Sequence, residues 1–363
     1  MSAEAGPLRF VRGDFQDLEE YVPVKPLDVL AREIGVPAGQ LVKLDANENL
    51  YGVIPEVREA IASAPLHIYP DPGQGALREA IAEYAGVTPG QVVAGAGADD
   101  LIDVIIRLAG PGTIVTATPT FGMYGFLAKI AGARVVESPR GANFEPGLAA
   151  IERAVDGGAR VVFLASPNNP TGNLLSRAEV ERLCRMDALV VIDEAYIEFS
   201  GDSAAPLLDE HSNLVILRTF SKWAGLAGLR VGYSLSHPDL ARLMMGIKQP
   251  YNVSVAADAA ARAALEHRAQ IFETVRCIVA ERERMAGLVG ALGWMTPLPS
   301  CANFVLFEVK GRSAAGVAAS LRRRGVLVRY YDRPDLQNYI RISAGRPEDT
   351  DRLLAALRAV EAE

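Results

Sequence analysis

Lys222 is the residue in this sequence best placed for covalent chemistry. It follows Thr219-Phe220-Ser221 at the end of the apolar run 214–217, and a loop of small residues leads on to Arg230 and a second apolar run. A lysine at the mouth of a buried sheet loses hydration of its ammonium, which lowers its pKa and frees the amine to attack a carbonyl. The hydroxyls of Thr219 and Ser221 and the cation of Arg230 suit an anionic group beside that amine. The six lysines (25, 43, 129, 222, 248 and 310) stand in a chain otherwise rich in arginine, so lysine here is not a casual choice of cation. Taken alone, the Ser-Lys pair also fits a surface lysine in a loop.

Five further stretches carry side chains with chemical use. GAGADD (95–100) closes a strand and opens a helix, so the amides of Ala98 and Asp99 face either an anion or only a tight turn. A dinucleotide fingerprint would want glycine at position 100, where Asp stands. SPNNPTG (166–172) presents Asn168 and Asn169 at a strand end, where α/β proteins bind ligands. Asp193, after four apolar residues in LVVIDEAY, could bind Mg²⁺ or pair with a buried ring NH⁺. The Mg²⁺-nucleotide alternative needs a Gly-Lys-Ser/Thr loop, which is missing. Arg329 (GVLVRYY) and Arg341 (YIRIS) each close a short apolar strand and suit either carboxylate or phosphate capture or a structural ion pair.

Composition removes several classes. Half the 363 residues are hydrophobic, 22% are charged and the net charge is −7. No basic block occurs, so neither nucleic acid nor an anionic membrane is an expected partner. The uncharged run 108–128 is long enough to span a bilayer, but Pro111, Pro119 and several glycines break it into helix end, strand and loop. The N-terminus lacks the basic-then-apolar order of a signal peptide, and three distant cysteines (184, 277, 301) fit a reducing compartment; a cytoplasmic location is expected. The four histidines (67, 211, 237, 267) are scattered, so no metal site is expected, and no Gly-x-Ser-x-Gly elbow marks a serine hydrolase.

The elements that must position these residues follow from periodicity. Apolar runs at 91–95, 113–118, 134–138, 160–166, 189–195, 214–218 and 231–235 alternate with helical patterns at 98–109, 122–131, 146–155, 176–186 and 238–247. Continuous Val/Ile/Leu strands alternating with helices predict an α/β fold with a large, mostly parallel, seven-stranded sheet covered by helices on both faces. A helical stretch at 253–292, bent once, then leads to a smaller α+β unit. The expected division is an N-terminal arm with part of the small domain at 1–42, a large domain at 43–255 and a small C-terminal domain at 256–363.

The motifs NNPTG, DEAY, Ser-Lys and GLRVGY, in this order on this alternation, resemble fold-type I aminotransferases that use pyridoxal 5′-phosphate. LDANEN, YPDP, TFGMY, RTFSK, GLAGLRVGY, ANFVLFE and GVLVRYY resemble the histidinol-phosphate aminotransferase group in particular, over about residues 43–345. The resemblance implies that Lys222 links the cofactor and that Asp193 pairs with its pyridine nitrogen. It implies that Asn169 and Tyr196 bind the ring's 3-oxygen and that Tyr124 stacks on the ring face. The backbone of Ala98 and Asp99, with Thr219, Ser221 and Arg230, would hold the phosphate, and Tyr69 would reach it from the second subunit of an obligate homodimer. Arg341 would take the substrate carboxylate. Arg329 would take its distal anion, helped by Asn169 and by Tyr21 of the N-terminal arm. The implied partners are a small amino donor, first L-histidinol phosphate, and a 2-oxo acid such as 2-oxoglutarate. An aromatic amino-acid aminotransferase and a threonine-phosphate decarboxylase would use the same residues, and a non-catalytic cofactor-binding module is the alternative from another class. Two departures from the group's pattern bear on substrate choice. NENLYG stands where NENPYG is usual, which is expected to loosen the substrate-side loop, and its Leu50–Tyr51 pair could wall an aromatic pocket. Trp223 follows the lysine and is expected to crowd the loop near the phosphate.

Overall fold

The structure, a computed structural model, describes residues 6–15 and 25–362. Helix α1 (Leu27–Ile34) and strand β1 (Val42–Leu44) precede α2 (Pro55–Ala62) and α3 (Gly75–Ala85). The chain then alternates through β2 (Val92–Gly95), α4 (Ala98–Ala109), β3 (Thr113–Thr118), α5 (Met123–Ile130), β4 (Arg134–Pro139) and α6 (Leu148–Asp156). It continues through β5 (Ala159–Ala165), α7 (Arg177–Cys184), β6 (Leu189–Asp193), β7 (Leu214–Thr219), β8 (Gly232–Ser236) and α8 (Pro238–Ile247). After α9 (Val255–Glu266) and α10 (Arg268–Gly290) come β9 (Met295–Pro297), β10 (Phe304–Val309), α11 (Ala314–Arg323), β11 (Val326–Tyr330), β12 (Tyr339–Ser343) and α12 (Pro347–Glu361).

Seven strands form one sheet in the order β2-β8-β7-β6-β5-β3-β4, as the apolar runs predict. Strands β4, β3, β5, β6 and β7 pair in parallel, while β8 runs antiparallel to both β7 and β2. The reversal has a local cause. The link from β7 to β8 holds only a single 3₁₀ turn (Ala227–Leu229) and no crossover helix, which a parallel return requires. Both faces of this sheet are buried, and successive residues sort to opposite cores. Ala94, Val115, Val162, Val190 and Ile216 pack on one side with α2, α3, α6, α7 and α9. Val93, Ile114, Val161, Val191 and Val215 pack on the other with α4, α5 and α8. Two dry faces on a period of two explain why these strands read as unbroken apolar runs.

The second sheet has the order β1-β11-β12-β10-β9 and packs on α10, α11 and α12. Two of the expected boundaries change. Strand β1, placed with the large unit from residue 43, pairs in parallel with β11 of the small sheet. The helical stretch does bend once, at His267, but the border at 255/256 does not hold: α10 packs Ile271, Val275 and Ile278 into the large core and Met285 and Val289 into the small one. A 23-residue helix is long enough to serve both cores, and periodicity cannot show which neighbour each turn meets. Among the described residues, no helix is long and apolar enough to cross a membrane.

Candidate active site

The parallel strands bring their C-terminal ends to one edge, and a cavity of about 420 Å³ opens there. Twelve of the residues singled out from the sequence line it: Ala98, Asp99, Tyr124, Asn169, Asp193, Tyr196, Thr219, Ser221, Lys222, Arg230, Arg329 and Arg341. Asp193 is the last residue of β6 and Thr219 the last of β7, so the ladder itself fixes their positions. Behind them Arg218 and Glu194, both buried, tie the two strand ends together at 2.9 Å.

Lys222 projects into the cavity with its Nζ donating to the Ala46 carbonyl at 3.2 Å. Burial pulls its pKa down to about 8; the Arg341 and Arg230 cations add to this, while Glu48 and Asp99 oppose it. An amine with that pKa is half deprotonated near pH 8, where an ordinary lysine is still almost wholly protonated.

Asp193 is 4% exposed, and burial pushes its carboxyl pKa up to about 6. Its Oδ2 accepts from the Tyr124 hydroxyl at 2.6 Å and its Oδ1 from the Ala195 amide at 3.0 Å. A buried carboxylate without a cationic partner suits a ligand that brings the cation. Tyr124, expected to stack on the cofactor ring, lines the cavity from within the core. It is fully buried, one face of its ring lies on Phe163 at 5.3 Å, and its hydroxyl belongs to Asp193. Phe121, edge-on to Tyr124 at 5.6 Å and only half-buried, is a further aromatic side chain that lines the cavity. Sequence reading missed it because two aromatic residues three apart at a helix start share a face, and only packing distinguishes them.

The anion cradle is built on close backbone approach. Gly97 has φ +84°, and a Cβ there would lie 2.6 Å from Arg230 Nη2. Glycine thus lets the turn before α4 close onto the guanidinium. Arg230 Nη2 donates to Asp99 Oδ2 at 3.1 Å, and the Thr219 hydroxyl donates to Ser221 Oγ at 3.0 Å. A helix N-terminus, two hydroxyls and an arginine are groups that can hold a phosphate.

The LDANEN stretch, missed as a site element, joins this cradle to the small sheet. Asn47, with φ 55°, donates from Nδ2 to the Tyr196 hydroxyl at 3.0 Å and accepts at Oδ1 from Ser343 at 2.9 Å. Burial raises the Tyr196 pKa to about 12, so the phenol keeps its proton and can donate. Asn49 donates to the Trp223 carbonyl at 2.9 Å, and the Asp45 carbonyl accepts from Arg341 at 2.5 Å. Only one residue of the asparagine pair enters the cavity. Asn169 accepts from Arg341 Nη1 at 2.6 Å, whereas Asn168 is fully buried and knits Pro119, Thr120 and Thr171 together.

On the substrate side, Arg329 and Arg341 are directly paired across antiparallel strands. Like charges so opposed destabilise the pair, a cost that a shared anion removes. Tyr331 lies under both guanidinium groups, at 5.4 and 5.9 Å. Arg333, which the sequence reading did not single out, also lines the cavity and is forked onto Asp335 by two bonds of 3.1 Å.

Tyr69 is 79% exposed and stacked on Tyr251 at 4.8 Å, away from this chain's cavity, and Tyr21 lies outside the described residues. Both departures behave differently from expectation. Trp223 does not crowd the phosphate loop; it is fully buried between Tyr84 and Phe272, where an indole gains most from apolar stacking. Leu50 packs on the small core and its carbonyl accepts from Arg346, so the loop is held rather than loosened. Neither Leu50 nor Tyr51 lines the cavity.

Each part of pyridoxal 5′-phosphate finds a match in these residues: an amine for its aldehyde, a buried carboxylate for its ring nitrogen and a cradle for its phosphate. Fold and site together define a fold-type I pyridoxal-phosphate enzyme. The chain belongs to the class I and II aminotransferase family, whose model matches residues 39–357. It is 47% identical to a histidinol-phosphate aminotransferase of Roseiflexus castenholzii, over 96% of this chain and 98% of that protein. It is 42% identical to the chloroplastic histidinol-phosphate aminotransferase 1 of Arabidopsis thaliana, over 96% and 85%. The solved histidinol-phosphate aminotransferase of Sinorhizobium meliloti, in complex with pyridoxal-5′-phosphate, superposes with a TM-score of 0.87 at 29% identity, covering 99% of this chain and all of that one.

Proposed function

We propose that this protein is a pyridoxal-phosphate-dependent aminotransferase that moves the amino group of L-histidinol phosphate to 2-oxoglutarate, as the names of its relatives suggest. The observation that carries the substrate is the cross-strand pair Arg329 and Arg341, with Arg333 on the same cavity wall. Planar guanidinium groups accept a phosphate ester and a dicarboxylate in turn with little rearrangement. A neutral aromatic donor needs an apolar slot, and the Leu50–Tyr51 pair that would have walled one stands outside the cavity.

When bound, the cofactor supplies an aldehyde that accepts amino groups and a cationic ring that withdraws electrons. The chain does the rest. Lys222 contributes the amine that holds the cofactor, and the same Nζ, once free, carries the proton to and from the substrate's α-carbon. Asp193, ionised and kept in register by Tyr124, holds the ring nitrogen in its protonated form. Tyr196 and Asn169 orient the ring's 3-oxygen. Ala98, Asp99, Thr219, Ser221 and Arg230 would hold the phosphate. Arg341 and Arg329 would together take the phosphate of histidinol phosphate, which hangs on the carbon where an amino acid has its carboxylate, and the two carboxylates of glutamate in turn.

The working unit in this proposal is a homodimer in the cytosol. Tyr69, Ile68, Leu66 and Tyr251 form an exposed apolar patch suited to a second copy, where Tyr69 would meet the other subunit's phosphate. All three cysteines are free, which fits a reducing compartment. The chain divides into a large unit on the seven-stranded sheet and a small unit on the five-stranded one, with the border inside α10. The deciding measurement is kcat/KM for histidinol phosphate against phenylalanine, each with 2-oxoglutarate. Histidinol phosphate should win; a tenfold preference for phenylalanine, about 1.4 kcal/mol of transition-state binding, would overturn the substrate. Sedimentation of a monomer that binds the cofactor tightly would overturn the dimer.

A further inference from the structure

Lys248 stands outside the cavity and takes no part in the chemistry above, yet it is only 5% exposed. No carboxylate among the described residues forms an ion pair with it. Its ammonium instead faces four oxygens: the carbonyls of Pro72 at 3.4 Å, Gln249 at 3.3 Å and Pro250 at 3.3 Å, and Asn252 Oδ1 at 3.3 Å. Three N–H bonds cannot serve four acceptors singly, so the ammonium is held as a charge in a ring of oxygens. Such rings of carbonyl oxygens are how proteins replace the hydration shell of a potassium-sized cation.

Two paths lead from this cage to the cofactor's phosphate. On the first, Asn252 Oδ1 also accepts from Gln74 Nε2 at 3.1 Å. Two donors on Oδ1 fix the orientation of the amide, which turns Nδ2 onto Asp100 Oδ2 at 2.7 Å. The same Asp100 oxygen accepts from the Ala96 amide at 2.9 Å and so sets the turn that brings Gly97 against Arg230. On the second, the Pro72 carbonyl belongs to the loop that carries Tyr69, and the Pro250 carbonyl precedes Tyr251, on which Tyr69 stacks. Removing the charge would release both loops at once.

We propose that Lys248 is a positioning residue, a built-in cation that sets the phosphate turn of its own subunit through Asn252 and Asp100 and holds Tyr69 in the pose offered to a second copy. The second half rests on the dimer reading above. The test uses the full-length protein stripped of cofactor and titrated with pyridoxal 5′-phosphate in a buffer whose only cation is tetramethylammonium, with tryptophan fluorescence as the readout. Lys248→Met should weaken cofactor binding by about tenfold or more, the usual scale for losing a supporting contact behind a ligand. Lys248→Ala empties the cage, and added potassium or ammonium should then restore binding while lithium, too small for the ring, does not. That rescue separates a lost charge from lost packing, and potassium supplies a folded sample if Lys248→Met fails to fold. Wild-type affinity in Lys248→Met, or no response of Lys248→Ala to either cation, would overturn the proposal. Tyr69→Phe measured alongside separates the two readings. If it binds normally while Lys248→Met does not, the dimer role of Tyr69 falls and the Asp100 path stands.

Discussion

The two sides of the cavity are built on different principles. On the cofactor side, Asp193, Thr219 and Ser221 are 4–5% exposed and sit at or next to the ends of parallel strands, so the sheet's own hydrogen bonds hold them. On the substrate side, Arg329, Tyr331 and Arg333 come from the C-terminal end of β11 and the loop beyond it, and they hold one another. Tyr331 spaces two guanidinium groups, and Arg333 leans on Asp335 with both partners more than a third exposed. A half-exposed pair of this kind contributes at most about 1 kcal/mol, so an incoming anion can displace it. The contrast suits the task. The cofactor group never changes and needs a rigid seat, whereas two dissimilar substrates must use the same wall in turn.

Substitutions on the two sides should therefore fail differently. Lys222→Ala removes both the linking amine and the proton carrier. Turnover should fall by at least about 10³-fold, with circular dichroism unchanged. Substantial transamination by this variant would break the comparison at its rigid side. Arg329→Ala should leave cofactor binding intact and lower kcat/KM for histidinol phosphate by roughly 10- to 100-fold, the scale of a lost charge-assisted hydrogen bond. Phenylalanine should be used almost as before; an equal loss for both donors would mean that Arg329 supports the fold instead.

The pH dependence sharpens the rigid side. Lys222 attacks only as the neutral amine, and its pKa is lowered from 10.5 to about 8. The rate at which the stripped protein takes up cofactor should rise about tenfold per pH unit below that value and level off above it. A rate still climbing at pH 10 would mean an unperturbed lysine. The smallest effect belongs to Tyr124→Phe. The Tyr124 hydroxyl is the main interaction holding the Asp193 pKa down against burial. Without it the carboxyl pKa rises above about 6, and more of it is protonated at neutral pH. Turnover at pH 7 should drop by about 3- to 10-fold, less than a full charge-assisted bond is worth, and recover toward pH 8.5. A loss that does not depend on pH would assign Tyr124 to packing alone.

What the sequence determined by itself is what local physics records. A strand dry on both faces must be largely apolar, so β2, β5, β6 and β7 could be read as runs, and a polar residue ending such a run must face the sheet's edge. Asp193 and Lys222 were legible for that reason, and so was the order of the helices between the strands of the large sheet. The reversed direction of β8 was legible in principle, from the missing crossover helix. What only the tertiary structure decided lies in contacts between distant segments. Asn47 meets Tyr196, 149 residues away, and Asn303 and Ser343, more than 250 away. Strand β1 joins β11, and α10 changes core halfway along its length. How much of the Tyr124 and Phe121 rings the cavity meets depends on where Asp193 and Phe163 stand, on two different strands. Arg333 gave no signal in the sequence, since an arginine in a polar loop becomes a cavity wall only when the loop folds over the end of the large sheet. Periodicity reports whether a side chain is buried; it carries no information on what that side chain touches.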